Sequence, residues 1–294
     1  MRLVRAEMLD GGTCPLTIRA TPQCGRSVFD YSEFIVIQGC CSLCLVDSQL
    51  CESHIIPNAL FRRIKKRQKT GNLITFNDHP SSKIVRSQES WWEYLLCQKC
   101  EGKIRDYETY GLKLIRGGAS IQFSKHDEGI TFRNHSYKLF KLFLTSIVWR
   151  AAVSKQETFH NVHAPVEAIE AARQSLLNGE AQSPAKFGVR LARLVDNSGA
   201  EGAFSPETLK NLIVSPIARE PSSIGYSVLF LLEGFLLEYF IPFMPNRLRD
   251  EHGTHRDSPT LFVPYKCIFT VSELANLLVT AYGKRQRGLI AFDD

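Results

Sequence analysis

The stretch CSLCLVDSQLCESHIIP, residues 41–57, places Cys41, Cys44, Cys51 and His54 within a short run that flanking residues mark as extended chain. A short apolar run, Phe34 to Cys40, leads into it, and Leu50 to Pro57 reads as another extended segment ended by proline, so a strand or hairpin is expected here. The first C-x-x-C pair, Cys41 and Cys44, has a counterpart in Cys97 and Cys100. At that spacing a tight turn or a helix start directs both sulfurs at one ion, and four thiolates complete a closed tetrahedral zinc site. Two unrelated buried cysteine pairs are the plain alternative, because free cysteine buries readily. A thioredoxin-like redox pair is disfavoured, since no βαβ pattern surrounds either. The 52 residues from Leu45 through Leu96 exceed a compact ribbon, so they form a lobe of their own.

Around this core the chain reads as an ordinary globular protein: 294 residues, 44% hydrophobic and 22% charged, enough to bury one large core or two modest ones. The nine cysteines are an odd number in a chain without an uninterrupted apolar leader, which argues against a disulfide scaffold. Cys14, Cys24 and Cys267 read as structural, while Cys40 and Cys51 lie close enough to the first pair to leave the ligand set slightly open. The most apolar stretch, Ile224 to Phe243, is interrupted by Glu233, Gly234 and Glu238 and reads as two buried strands turning at Glu233-Gly234, so no membrane partner is expected and the location reads as cytoplasmic.

The formal net charge of +6 makes an anionic partner plausible, and its placement is more informative than its size. In FRRIKKRQK, residues 61–69, Arg62, Arg63, Lys65, Lys66 and Arg67 crowd a short helix expected over Asn58 to Lys69. Such a run alone is a solvated helix face; beside a candidate site it points to phosphate contact.

Taken in order, residues Cys41, Cys44, His54, Ile55, Pro57, Leu96, Cys97 and Cys100 resemble the HNH endonuclease family, whose pattern runs from a C-x-x-C knuckle through a strand carrying "HI-P" to an "LC-x-x-C" that opens a helix. The resemblance covers about residues 38–112. It implies an α+β protein with an N-terminal ββα-metal module of treble-clef type, followed by a mixed α/β C-terminal domain. It further implies that His54 is a general base drawing a proton from the water that attacks a phosphodiester, DNA more readily than RNA, with a catalytic magnesium or manganese ion beside a structural zinc. Family members carry Asp or His before the base and His or Asn after the last cysteine; here Ser53 and Glu101 stand there. Glutamate is a good hard-metal ligand and serine a poor one. Glu52 is a compensator only if strand alternation allows it, and Asn72 and Asn77 are weak candidates for the family's middle asparagine. His54 as a structural histidine and Glu101 as a helix first-turn carboxylate are the plain alternatives.

The expected organisation is a lead-in over 1–33, with one strand, the zinc module over 34–117 and a C-terminal domain over 118–294. Trp91 and Trp92 offer stacking surfaces for bases but read better as caps on the module's small core, and His79 reads as a loop histidine. The C-terminal part is expected to hold a strand pair at 120–132, helices at 137–154 and 165–177, strands near 187–195, 226–242 and 260–270, and a helix at 272–282. Arg150 reads as a structural partner for a buried carboxylate, and the run Gly283 to Arg287 as a solvated tail. No phosphate loop, nucleophile elbow or dinucleotide fingerprint occurs after residue 118, so this part is assigned substrate positioning, a partner contact including homodimerisation, or the sensing of a signal. HNH modules with a long C-terminal domain of their own are similar to uncharacterised bacterial proteins associated with action against phage. If the hydrolytic site is incomplete, the expectation becomes a zinc module that binds nucleic acid or a protein without cutting.

Overall fold

In a computed structural model the chain is a mixed α+β protein; residues 17–19, 36–68, 71–76, 79, 81–118, 121–199, 203–219 and 226–291 are described. Strands β1 (Thr17–Arg19), β2 (Val36–Cys40) and β3 (Asp47–His54) are followed by helix α1 (Asn58–Arg67), a small ladder of β4 (Leu73–Thr75) with β5 (Val85–Ser87), strand β6 (Trp92–Cys97) and helix α2 (Gln98–Arg116). Strands β7 (Gln122–His126) and β8 (Gly129–Arg133) precede helices α3 (Tyr137–Val153) and α4 (Val166–Asn178), strand β9 (Val189–Val195), helix α5 (Pro206–Lys210), strands β10 (Val214–Arg219), β11 (Tyr226–Leu232), β12 (Phe235–Ile241) and β13 (Thr260–Cys267), and helix α6 (Ser272–Gln286).

The N-terminal sheet has the order β1-β2-β3-β6, with β3 antiparallel to β6 and α2 following β6 directly. The helix starts at Gln98, because Cys97 both ends the strand and stands at the helix N-cap. Gly117 ends it in the left-handed region at φ 69°, the conformation that favours glycine after a last turn. The larger sheet has the order β10-β11-β12-β9-β13-β8-β7, antiparallel except for the β9–β13 pair. Leu191, Val228, Phe230 and Leu237 on one face join the main core, and Leu194, Leu229, Leu231 and Leu236 on the other join a second apolar cluster with Leu209, Ile268, Val271 and Leu274. Both faces are thus covered, which is why β11 is a continuous apolar run rather than an alternating one. Strand β10 and helix α5 are too short and polar to be read from sequence pattern.

The main core runs without interruption from Cys41 through α2 and α3 to Val263, crossing the expected boundary at residues 117 and 118. One expectation is corrected here. Lys284 is not part of a solvated tail: α6 continues through it, its ammonium is fully buried, and it donates to the His79 carbonyl at 2.6 Å, the Ser82 carbonyl at 2.7 Å and the Ser82 hydroxyl at 2.5 Å. Three oxygen acceptors replace the water lost by the buried ammonium, which composition alone does not reveal. Among the described residues, no helix is long and apolar enough to cross a membrane.

Candidate functional site

The knuckle after β2 is a tight turn: Leu45 N–H donates to the Cys41 carbonyl at 2.8 Å and Cys41 N–H to the Val46 carbonyl at 3.0 Å, with Leu45 at φ 60°. A leucine in the left-handed region is strained, so the turn is held by what it builds. Cys41, Cys44, Cys97 and Cys100 bring their sulfurs within 4.8 Å of one another. Four thiolates around one tetrahedral zinc at its usual bond length would sit about 3.8 Å apart, and the Cys44–Cys97 sulfurs are 3.9 Å apart. The four cysteines can therefore hold a metal ion such as zinc. Among the described residues no other group of three or more His, Cys, Asp or Glu ligand atoms is so close.

The four thiols lie close enough to act on one another. Burial works against ionising Cys97, yet hydrogen bonds from the Cys100 backbone and from the neighbouring thiols hold it down at about 7. Burial, reinforced by Cys41, pushes Cys100 up. The Cys97 N–H donates to the Cys41 sulfur at 3.3 Å, and Arg173 of α4 donates to the Leu43 carbonyl inside the knuckle at 2.5 Å. Cys40, Cys51 and Cys267 are free thiols outside the cluster, while Cys14 and Cys24 lie outside the described residues.

Beyond the knuckle, β3 alternates as its residue types demand: Glu52 and part of His54 face outward, and Ser53 is fully buried beneath the sheet. Ser53 Oγ accepts from the Leu96 N–H at 3.1 Å and donates to the Cys51 carbonyl at 3.3 Å, beside a bulge in the β3–β6 pairing. Ser53 also lies within hydrogen-bond reach of Glu101, in the first turn of α2. Burial raises the Glu101 carboxyl, with Ser53 and Arg150 pulling the other way. One oxygen of that carboxylate, Oε1, is buried with no hydrogen-bond partner.

Arg150 of α3, only 1% exposed, organises the space behind the hairpin. It donates to the His54 carbonyl, and its Nη2 donates to Glu108 at 2.6 Å. Glu108 is seven residues after Glu101, so the two carboxylates share one face of α2. The His54 ring turns elsewhere: Nε2 is 3.0 Å from the Ser90 hydroxyl. Burial, then the charges of Arg150, Arg62 and Lys65, lower its pKa, so the imidazole is neutral at neutral pH. The fold brings Ser53 to Glu101 and sets His54 against a field of cations.

The basic helix is partly spent inside the molecule. Arg63 donates to Glu233 at 2.5 Å, Lys65 to the Gln88 carbonyl, and Arg67 to Asn211 at 3.1 Å, whereas Arg62 and Lys66 are exposed. Asn72 is bonded to Gln88, Asn77 lies outside the described residues, and exposed His79 takes a loop contact with Ser81 at 3.0 Å. Trp91 packs into the core between Phe61 and Phe159, as expected of a cap, but Trp92 is 38% exposed. Arg173 and Glu233 carry no motif and were not legible as parts of the site; Glu108 had only its spacing from Glu101 to signal it. Comparison with protein-family models, with curated proteins and with solved structures finds no match for this chain.

Proposed function

We propose that the chain is a nuclease of the HNH type, built on a treble-clef ββα module clipped by a structural zinc, with DNA as the preferred substrate. The observation that carries the reading is the state of His54: a half-buried imidazole, its pKa lowered by burial and by the charges of Arg150, Arg62 and Lys65, at the end of a hairpin locked to a four-cysteine cluster. Nε2 is engaged by the Ser90 hydroxyl at 3.0 Å, so in this reading the tautomer protonated at Nε2 is the active one and Nδ1 takes a proton from the attacking water. The same cations that attract a phosphodiester disfavour the imidazolium, which speeds return of the proton to the leaving oxygen. Arg150 acts as a positioning residue by holding the His54 carbonyl.

The donor set fits a catalytic magnesium or manganese ion in one respect: Glu101 Oε1 is a buried acceptor lacking a partner, and Glu108 is a second carboxylate on the same helix face. Magnesium commonly takes one or two carboxylates and completes its shell with water and substrate phosphate. When bound, such an ion would supply charge neutralisation at the phosphate. Ser53 is not available to it, since its oxygen is buried and engaged.

That burial of Ser53, with Arg150 already supplying positive charge to Glu108, favours a second reading in which the module binds nucleic acid without cutting. The two are separated by incubating the full chain with supercoiled plasmid and magnesium or manganese beside His54→Ala. Nicking by the parent that falls about 100-fold or more in the variant supports the nuclease; a parent that binds plasmid and leaves it intact establishes the second reading instead.

A further inference from the structure

We infer that Trp92 and Tyr94 form a stacking platform for an unpaired base, so that the nucleic acid this site engages is single-stranded or locally opened. The inference rests on the proposed nucleic-acid function and narrows its substrate class. In the antiparallel β3–β6 pair, Trp92 lies directly across from His54, and Tyr94 lies across from Glu52. Residues directly paired share a face, with Cβ atoms about 5 Å apart. His54, Trp92 and Tyr94 therefore belong to one outward face, opposite to the buried face of Ser53.

Both rings are 38% exposed, and they meet edge to face with centroids 5.4 Å apart and planes at 87°. Large aromatics normally pack against the core, as neighbouring Trp91, partly buried between Phe61 and Phe159, does. The strand that carries them is held firmly from behind. Glu93, on the opposite face, accepts from the Ser154 hydroxyl and from the Lys155 N–H at 3.1 Å, and Gln156 donates to the Trp92 carbonyl at 2.5 Å.

Charge sets the direction in which a strand would lie. Arg62 and Lys65 act on His54 at one end of the face, whereas exposed Glu52 stands beside Tyr94 at the other. A nucleotide lying with its phosphate against His54 and its base stacked on Trp92, with Tyr94 against the base edge, places anion with cations and keeps the backbone away from Glu52. A fully paired duplex cannot offer a base face to these rings without unstacking it.

The test uses the full chain carrying His54→Ala, so that binding is read independently of cleavage. Fluorescence anisotropy compares labelled single-stranded DNA, single-stranded RNA and blunt duplex of equal length, and intrinsic fluorescence is followed alongside. Of the three tryptophans, Trp92 is the exposed one, because Trp91 packs in the core and Trp149 is 2% exposed. The expectation is tighter binding of one or both single strands than of duplex, with quenching of the tryptophan signal. Trp92→Ala should weaken single-strand binding about 10- to 100-fold, from roughly 1–3 kcal/mol per stacked base, and leave duplex binding unchanged, while Trp92→Phe retains most of it. Duplex binding equal to or tighter than single-strand binding, unchanged affinity in Trp92→Ala, or no nucleic-acid binding at all would overturn the inference. Single-strand binding by a parent chain that never cleaves would sink the nuclease and leave the platform standing.

Discussion

Glu233 offers the most direct test of how the two halves are joined. It sits at the β11–β12 turn, only 4% exposed, with φ 51° followed by Gly234 at φ 74°. Two successive positive φ values are those of a type I′ hairpin, where asparagine and glycine are favoured at the first position. A glutamate there is explained by its partners: Arg63 of α1 at 2.5 Å, and Arg116 of α2 at 2.9 Å through Nε and 2.7 Å through Nη2. Hydrogen bonds to charged groups contribute roughly 1.5–3 kcal/mol each. Both arginines are about a third exposed, at 31% and 30%, and regain water when released. Glu233→Gln is therefore expected to cost about 2 kcal/mol, and Glu233→Ala about 3. Glu233→Gly should cost about 1 kcal/mol less than alanine, because glycine adopts the positive φ freely. Urea unfolding followed in parallel by circular dichroism and tryptophan fluorescence measures these values, provided the two transitions coincide. A double-mutant cycle with Arg116→Met should return a coupling of about 1 kcal/mol or more. If Glu233→Gln falls within about 0.5 kcal/mol of the parent, or Glu233→Gly is more stable than it, the turn rather than the ion pairs governs this position and the reasoning is wrong.

Replacing Cys97 and Cys100 by serine should abolish binding of one metal equivalent and melt the lobe over residues 36–118, seen as lost metal by mass spectrometry and reduced helical signal; retention of both would refute the four-thiolate centre. Lys284→Met removes the buried cation that ties α6 to the His79 and Ser82 oxygens and should destabilise by about 2 kcal/mol, with hydrogen exchange accelerated at Ile84, whose N–H donates to the Leu289 carbonyl. Lys141 is fully buried with Tyr137, Tyr239 and His255 about it, and burial lowers its pKa to about 7. Because the unfolded chain still binds this proton up to its ordinary value near 10.5, stability should rise with pH from about 7 towards 10 and stay level below 7 for this group. Lys141→Met should flatten that rise in unfolding measured across the range. Burial lowers His255 and His135 as well, so their contribution is present above the ordinary histidine value and is lost as pH falls below it.

The fold was legible where a local rule acts alone. Two C-x-x-C pairs place four sulfurs together because each pair sits at a turn or helix start; Gly117 and Gly179 end helices because glycine takes a positive φ without strain. The turn at Glu233-Gly234 was legible from two polar residues inside an apolar run. What the sequence concealed depends on long-range burial. Lys284 reads as part of a solvated tail, yet it ends fully buried because oxygens of His79 and Ser82, from a distant segment, meet it. The pair Trp91-Trp92 reads as one apolar unit, but strand alternation sends the first to the core and the second to solvent. Five basic residues on α1 look equivalent until three of them find partners elsewhere in the chain.

These contacts share a direction. Arg173 of α4 reaches the knuckle carbonyl of Leu43, Arg150 of α3 the carbonyl of His54, Glu233 of the β11–β12 turn the arginines of α1 and α2, and Lys284 of α6 the loop before Ile84. Each comes from the C-terminal part and lands on the N-terminal lobe, the first three on segments that bear the metal cluster, the candidate base or the basic helix. A small metal-clipped lobe buries little apolar surface of its own, so the C-terminal part serves it as scaffold as well as neighbour, sharing one continuous core. It follows that a chain cut after Gly118 should bind metal yet hold His54 poorly: without Arg150 its carbonyl and Glu108 lose their common donor. Metal content retained together with a collapse of any nucleic-acid affinity in such a fragment is the expected result; a fragment matching the full chain in affinity for single strands would show that the C-terminal contacts brace the lobe without shaping its site.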